Sequence, residues 1–339
     1  MKLRDIVLEQ IHHRETSPIP FTLPFEEGVD KRLDEHYGGT AWREQIPRYI
    51  VHVTTVDEDR KVSIDETHYR DGFGSVWSTA GRPFHLEKPG LGSPSFDDYE
   101  FPRAETFIEA ERRRWSMEEC AQHPDSFRVA RFGWGVFERS WNIRGFEEVL
   151  VDVISNPDFY EELLDRITAL HLEFVAASVE LPVDGIMFSD DWGDQRGVLI
   201  GPERWRRFFK SRLAKLYQAA HDAGKLTLSH CCGSVEDIVP DLIEIGLDVL
   251  ESIQPEAMSP YELKKKWGDK ITFWGGLGSQ STIPFGTRQE IFDEVEHLCR
   301  EMPRGGGYIL APAKELQPET SGENAAAVLE AFLKFTGHV

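Results

Sequence analysis

From residue 128 onward, short apolar runs alternate with amphipathic stretches, and this alternation restricts the fold more than any other feature. "DGIMFSDD" leads to "GPERWRRFFKSRLAKLYQAAHDAG", "KLTLSHCCG" to "SVEDIVPDLIEIG" and "LDVLESIQP" to "SPYELKKKWG". "KITFWGGL" then leads to "TRQEIFDEVEHLCREM", and "GYILAPA" to "SGENAAAVLEAFLKF". The apolar runs suit strands buried on both faces. The helical stretches open near capping residues, and several close on glycine (Gly224, Gly246, Gly268). Unbroken β–α alternation allows a doubly wound sheet or a closed barrel. No Gly-rich phosphate loop follows an early strand, which disfavours a dinucleotide-binding sheet. The expected fold is α/β: a (β/α)8 TIM barrel with N-terminal elaborations. It is expected to be a single domain over 1–339, with N-terminal helices and hairpins plus the first strands over 1–127 and regular β/α units over 128–339.

The N-terminal part is less regular. Leu3, Ile6, Val7 and Ile11 recur at helical spacing. "SPIPFTLPF" breaks that helix, and residues 30–45 are expected to be helical again, interrupted by Gly38 and Gly39. From 48 to 86 apolar and polar residues alternate around turn signals, which predicts hairpins. A net charge of −21 repels nucleic acid and anionic membrane surfaces. No apolar run approaches the ~20 residues of a membrane span. With no secretory pattern at the start, the expectation is a cytoplasmic protein acting on a small molecule, without nucleic-acid or membrane partners. Four cysteines (Cys120, Cys231, Cys232, Cys299) are too few for a disulfide framework in a chain this long.

In a barrel, chemistry collects at the C-terminal ends of the strands. One such end carries Asp190, Asp191 and Trp192, with Gln195 close behind. The next carries His230, Cys231 and Cys232. Glu251, Gln254 and Glu256 follow on the third, Trp274 on the fourth, and the last runs through Tyr308 to Lys314. Side chains two apart share a side of a strand, so His230 and Cys232 form a His-x-Cys grip suited to Zn²⁺, while Cys231 points the other way into packing. A lone strand histidine is more often a satisfied core residue, and two ligands are not a site. A third and a fourth must come from elsewhere, with Glu251 first by strand neighbourhood and Asp190 or Asp191 next. Asp190, Asp191 and Glu251 are the candidate catalytic acids, and His230, Cys232 and Glu251 the candidate metal ligands. Trp192, Gln195, Gln254, Glu256, Trp274 and Tyr308 are the candidate substrate-binding residues.

The stretch "LSHCCGSVEDIVPDLIEIGLDVLESIQPEAMSPYELKKKWGDKITFWGGL" resembles the uroporphyrinogen decarboxylase superfamily, as does "GGGYILAPAKELQPETSGENAAAVLEAF". "RGFEEVLVDVISNPDFYEELLD" and "FSDDWGDQRGVLIGPERWRRFF" fit its decarboxylase-like branch. The resemblance implies a (β/α)8 barrel and one of two chemistries. One is decarboxylation of the acetate arms of uroporphyrinogen without a cofactor. The other is methyl transfer between a corrinoid protein and a small acceptor or donor, often with zinc. The "RQAGRY"-like arginine stretch of the decarboxylases is missing from "HHRETSPIPFTLPFEEGVDKRLDEHYGG". His230-x-Cys232 matches the first two zinc ligands of the methyltransferase branch. The third ligand of those enzymes is a cysteine near the last strand, and "GYILAPAKELQP" has none. The expected function is methyl transfer with zinc and a corrinoid carried by a partner protein. Decarboxylation of uroporphyrinogen or a related acid is the alternative, and a non-catalytic tetrapyrrole- or corrinoid-binding barrel the third reading.

Overall fold

The computed structural model describes residues 1–81 and 83–338. Eleven strands fall into two sheets among these residues. The larger is wholly parallel and runs in the order β1 (Ile50–Val53), β6 (Phe127–Arg131), β7 (Gly185–Ser189), β8 (Leu226–His230), β9 (Val249–Ile253), β10 (Thr272–Leu277) and β11 (Tyr308–Pro312). The smaller is an antiparallel meander of β2 (Val62–Ser63), β3 (His68–Arg70), β4 (Val76–Ser78) and β5 (His85–Lys88). The expected hairpins of 48–86 thus divide: four residues start the barrel, and the rest form the meander.

The parallel sheet curls as a (β/α)8 barrel does, with seven laddered strands. The segment around Phe21 takes the eighth position through an isolated parallel bridge from Phe21 to Leu310, with a second from Phe25 to Leu316 beyond β11. Thr22 N–H donates to Leu310 O, and Leu310 N–H to Pro20 O, both at 3.0 Å. "SPIPFTLPF" supplies prolines on both sides of that bridge, and proline cannot donate to a ladder. Among the described residues no ladder joins this segment to β1, so a seam remains in the barrel wall.

Strands β7, β10 and β11 are buried along their whole length. Helices cover them from outside. The longest, Pro157–Val179, starts on Pro157, whose missing N–H costs nothing in a first turn. Helix Arg288–Glu301 opens on a capping box between Thr287 and Glu290. Ser259 and Ser321 cap two further helices. Residues 30–45 form helix Val29–Tyr37, ended by Gly38 in a left-handed conformation as the glycine interruption predicts, and a 3-10 turn over Ala41–Gln45. No helix among the described residues is long and apolar enough to cross a membrane.

The turn after β6 sets up the site. Gly135 N–H meets Ser189 O at 2.5 Å, and a Cβ on Gly135 would lie 2.3 Å from Asp190 Cβ. Only glycine fits there without displacing β7. Gly135→Ala is therefore expected to cost about 2–3 kcal/mol, as overpacking does, measurable by urea denaturation.

Candidate metal centre at the strand mouth

Parallel pairing brings Ser189, His230 and Glu251 to one level on β7, β8 and β9. His230 Nδ1–H donates to Glu251 Oε2 at 2.5 Å. This fixes the ring and aims Nε2 away from Glu251. Two positions on, Cys232 Sγ stands 3.3 Å from Nε2. Asp191 arrives from the loop after β7, its Oδ1 held by the Cys232 backbone N–H at 2.8 Å and lying 3.6 Å from His230 Nε2. One ligand atom from each of Asp191, His230 and Cys232 lies within 4.8 Å of the others.

The spacing can be tested against zinc. Bonds of ~2.0–2.3 Å at a tetrahedral angle put ligand atoms about 3.4–3.6 Å apart. The observed 3.3 and 3.6 Å fit that edge length. One nitrogen, one sulfur and one carboxylate oxygen are also a donor set zinc accepts, with a fourth position open as in catalytic sites. The residues present fit the ion.

Glu251, expected as the third ligand, is placed differently. It is the register partner of His230 and so meets the ring at Nδ1, behind the trio. A carboxylate in that position fixes the tautomer and raises the basicity of the ligating nitrogen. Burial opposes charging His230, yet Glu251 and then Cys232 hold its pKa well above the usual imidazole value. Burial likewise opposes charging Glu251, while His230 and then Arg131 hold it below the ordinary carboxyl value.

Asp190, expected to be catalytic, is buried and spent on anchoring. It accepts the backbone N–H of Phe137 at 2.9 Å and of Glu138 at 2.8 Å, at the start of helix Val136–Arg144. It also accepts the Trp192 indole N–H at 2.8 Å. Burial pushes its carboxyl up to about 7, against the pull of these donors. Trp192, held by that bond and packed edge-on against Trp205, lies inside the protein and not at the mouth.

The other expected substrate-binding residues divide. Trp274 lines a cavity of about 380 Å³ together with His230 and Glu251. Its ring lies parallel to that of His52 at 6.1 Å, and its indole N–H donates to Thr22. Tyr308 is the first residue of β11, at the end opposite the mouth, and its hydroxyl donates to Gly275 O. Gln195, Gln254 and Glu256 stitch loops together. Gln195 donates to Gln280, Gln254 accepts from Gly233 N–H, and Glu256 accepts from Gln280 N–H and Ser281. None of these four lines either of the two cavities that meet at His230.

The second cavity, about 560 Å³, shares His52, Arg131, His230 and Lys314 with the first and is also lined by Asp191 and Glu138. His52 and Glu138 were missing from the sequence reading. His52 is on β1, in the stretch whose alternation predicts hairpins, and burial followed by nearby Arg131 lowers its pKa to about 4, leaving it neutral. Glu138 is in the first turn after "GWG". Burial, then Asp190 and Asp191, push it up to about 9, so it carries a proton at neutral pH.

Together these features define a (β/α)8 barrel with a candidate metal centre where β7, β8 and β9 end. The chain belongs to the uroporphyrinogen decarboxylase (URO-D) family, whose profile matches residues 140–335. It is 29% identical over 178 residues to the methylcobamide:CoM methyltransferase MtaA of Methanosarcina barkeri, covering 52% of this chain and 50% of that protein. It is 21% identical over 183 residues to a uroporphyrinogen decarboxylase of Coxiella burnetii, covering 53% of this chain and 48% of that one. The chain thus spans about half the length of the curated relatives it matches, and those relatives are enzymes. The structure of a methyltransferase from Methanosarcina mazei superposes over 99% of both chains, with a TM-score of 0.75 at 20% identity, which shows a shared fold.

Proposed function

We propose that this protein is a methyltransferase-type enzyme that moves a methyl group between a corrinoid carried by a partner protein and a small acceptor or donor. The carrying observation is the trio Asp191, His230 and Cys232, spaced as zinc ligands at the strand mouth with Glu251 behind the imidazole. The naming of the Methanosarcina barkeri relative as a methylcobamide:CoM methyltransferase supports the same direction.

Asp191, His230 and Cys232 would hold Zn²⁺. When bound, the ion lowers the pKa of an acceptor thiol and holds it as a thiolate. The rest is the work of the chain. Glu251 keeps His230 Nδ1 protonated and Nε2 free for the ion. The Cys232 N–H keeps Asp191 turned inward. Trp274 and His52 form a flat wall that restricts the acceptor's orientation. His230 lines both cavities and Asp191 the second, so a small acceptor held in either would lie beside the residues that would hold the ion.

Decarboxylation of a polycarboxylate would call for several unpaired cations around one cavity. The first cavity has Arg48, Arg131 and Lys314, and Arg48 is engaged with Glu119 and His123. That favours methyl transfer.

The test is anaerobic incubation of zinc-loaded protein with methylcob(III)alamin and 2-mercaptoethanesulfonate, 3-mercaptopropionate or homocysteine, followed by absorbance. Demethylation faster than with thiol alone is expected for at least one thiol. Rates equal to the protein-free control with all three, together with no demethylation in the reverse direction, would end the reading. Glu251→Gln is expected to lower zinc affinity about 10- to 100-fold, the usual effect of an outer-shell carboxylate, measured by competition with a chromophoric chelator.

A further inference from the structure

The chain has 59 acidic and 38 basic residues, so an unpaired cation in a cleft is a departure that calls for a reason. Arg131 and Lys314 are two of them. Both are exposed and line both cavities; among the described residues neither side chain has a hydrogen-bond or ion-pair partner, and Arg131 acts on Glu251 and Glu58 only through its field. The carboxylates around Arg131 are otherwise engaged, Glu251 with His230 and Glu58 with the Gly133 N–H.

The two cavities differ in charge. The outer one is lined by Asp57, Glu58, Asp59 and Asp191, with Glu138 protonated, and its own cation Arg112 is paired to Asp57, so it is less favourable to an anion than the inner one. The inner one has only Glu251 and Glu315 as acids, facing Arg48, Arg131 and Lys314. Its remaining wall is largely apolar and includes both edges of the barrel seam, Phe21 and Leu23 on one side and Ile46 and Ile50 on the other. At about 380 Å³ the cavity falls within the roughly 300–1,000 Å³ of small-molecule sites, and is large for a ligand of only a few atoms.

We propose that the inner cavity binds a monoanion with an apolar body, its charged group held by Arg131 and Lys314 and its body lying along the seam. Resting on the methyl-transfer reading, this is the substrate class of the small acceptor or donor, with the reacting atom reaching the trio from the inner side while the outer cavity receives the corrinoid. Charge and length both enter recognition. The anion makes charge-assisted hydrogen bonds, and each added methylene displaces water from the seam wall.

The experiment is calorimetric titration of protein dialysed against chelator, so that a carboxylate cannot report on a metal. The probes are butyrate, hexanoate, octanoate and hexanamide. Each methylene buried should tighten binding roughly fourfold, and hexanoate should exceed hexanamide by roughly tenfold. Arg131→Gln combined with Lys314→Gln should abolish the preference for the acid over the amide. Leu23→Trp should weaken hexanoate more than butyrate. Circular dichroism checks the fold of each variant, and Ile50→Phe replaces Leu23→Trp if that variant unfolds. Equal binding of hexanoate and hexanamide, no length dependence, or an unchanged preference in the double variant would overturn the proposal. So would no heat of binding for any acid at ~10 mM, an affinity too weak for a built site. These outcomes are independent of zinc content and methyl transfer, so failure of the cavity and failure of the metal centre can be told apart.

Discussion

Cys232→Ser is expected to lower zinc affinity by more than ~100-fold, beyond the range seen for outer-shell partners, while leaving the fold intact. Cys232 is half-buried at the end of β8, and its Sγ contributes the only sulfur of the trio. A thiolate binds zinc as a soft, charged donor, and serine offers a hydroxyl that stays protonated at neutral pH. The substitution keeps the shape and the backbone N–H that holds Asp191. The loss therefore isolates the ligand role from the packing role. Cys231→Ser gives the contrast: Cys231 is fully buried, accepts the Trp192 N–H and is pushed well above the usual thiol pKa by burial. That variant should lose stability and keep its metal. Chelator competition and thermal melts on both proteins give the two readouts. Equal zinc affinity in Cys232→Ser and wild type would remove Cys232 from the centre.

Asp190→Ala is expected to destabilise the protein by about 3–5 kcal/mol, at the large end for a single substitution. The carboxylate is buried and satisfies three donors, the N–H groups of Phe137 and Glu138 and the Trp192 indole. Each buried donor left without a partner costs about 1–3 kcal/mol. Above its pKa of about 7 the charged carboxylate at the start of helix Val136–Arg144 adds a favourable dipole interaction that alanine also loses. Asp190→Asn should fall between, since its amide keeps one acceptor and turns a donor toward another. Urea denaturation followed by tryptophan fluorescence gives the free energies. A loss under ~1 kcal/mol would mean that Asp190 is not the anchor of this helix, since three orphaned donors cost more than that.

The barrel was legible because five β–α units repeat with clear periodicity, and strand ends in such a fold are the site. His230 and Cys232 were legible for the same reason: their i, i+2 spacing, running off the end of β8, brings Sγ beside the ring. Glu251 was correctly placed beside His230 but in a different role, because strand neighbourhood gives the register and not which ring nitrogen the carboxylate meets. Asp191 depends on a loop path that no local pattern encodes. Gly193 and Gly233 cross there so closely that a Cβ on Gly233, whose φ is +75°, would lie 2.6 Å from the Gly193 carbonyl carbon. Asp190 and Trp192 looked functional at a strand end, yet they bond to each other and hold a helix. The first strand, Ile50–Val53, was hidden because it is four residues long and is followed at once by the meander, and His52 was missed with it.

The most direct measurement is zinc K-edge X-ray absorption on protein loaded with one equivalent of the ion. A centre built from Asp191, His230 and Cys232 gives one sulfur near ~2.3 Å and nitrogen or oxygen ligands near ~2.0–2.1 Å, with the sulfur shell lost in Cys232→Ser. Adding an acceptor thiol should raise the count to two sulfurs. A spectrum with no sulfur in the wild type, or one unchanged by Cys232→Ser, would contradict a metal centre at this strand mouth.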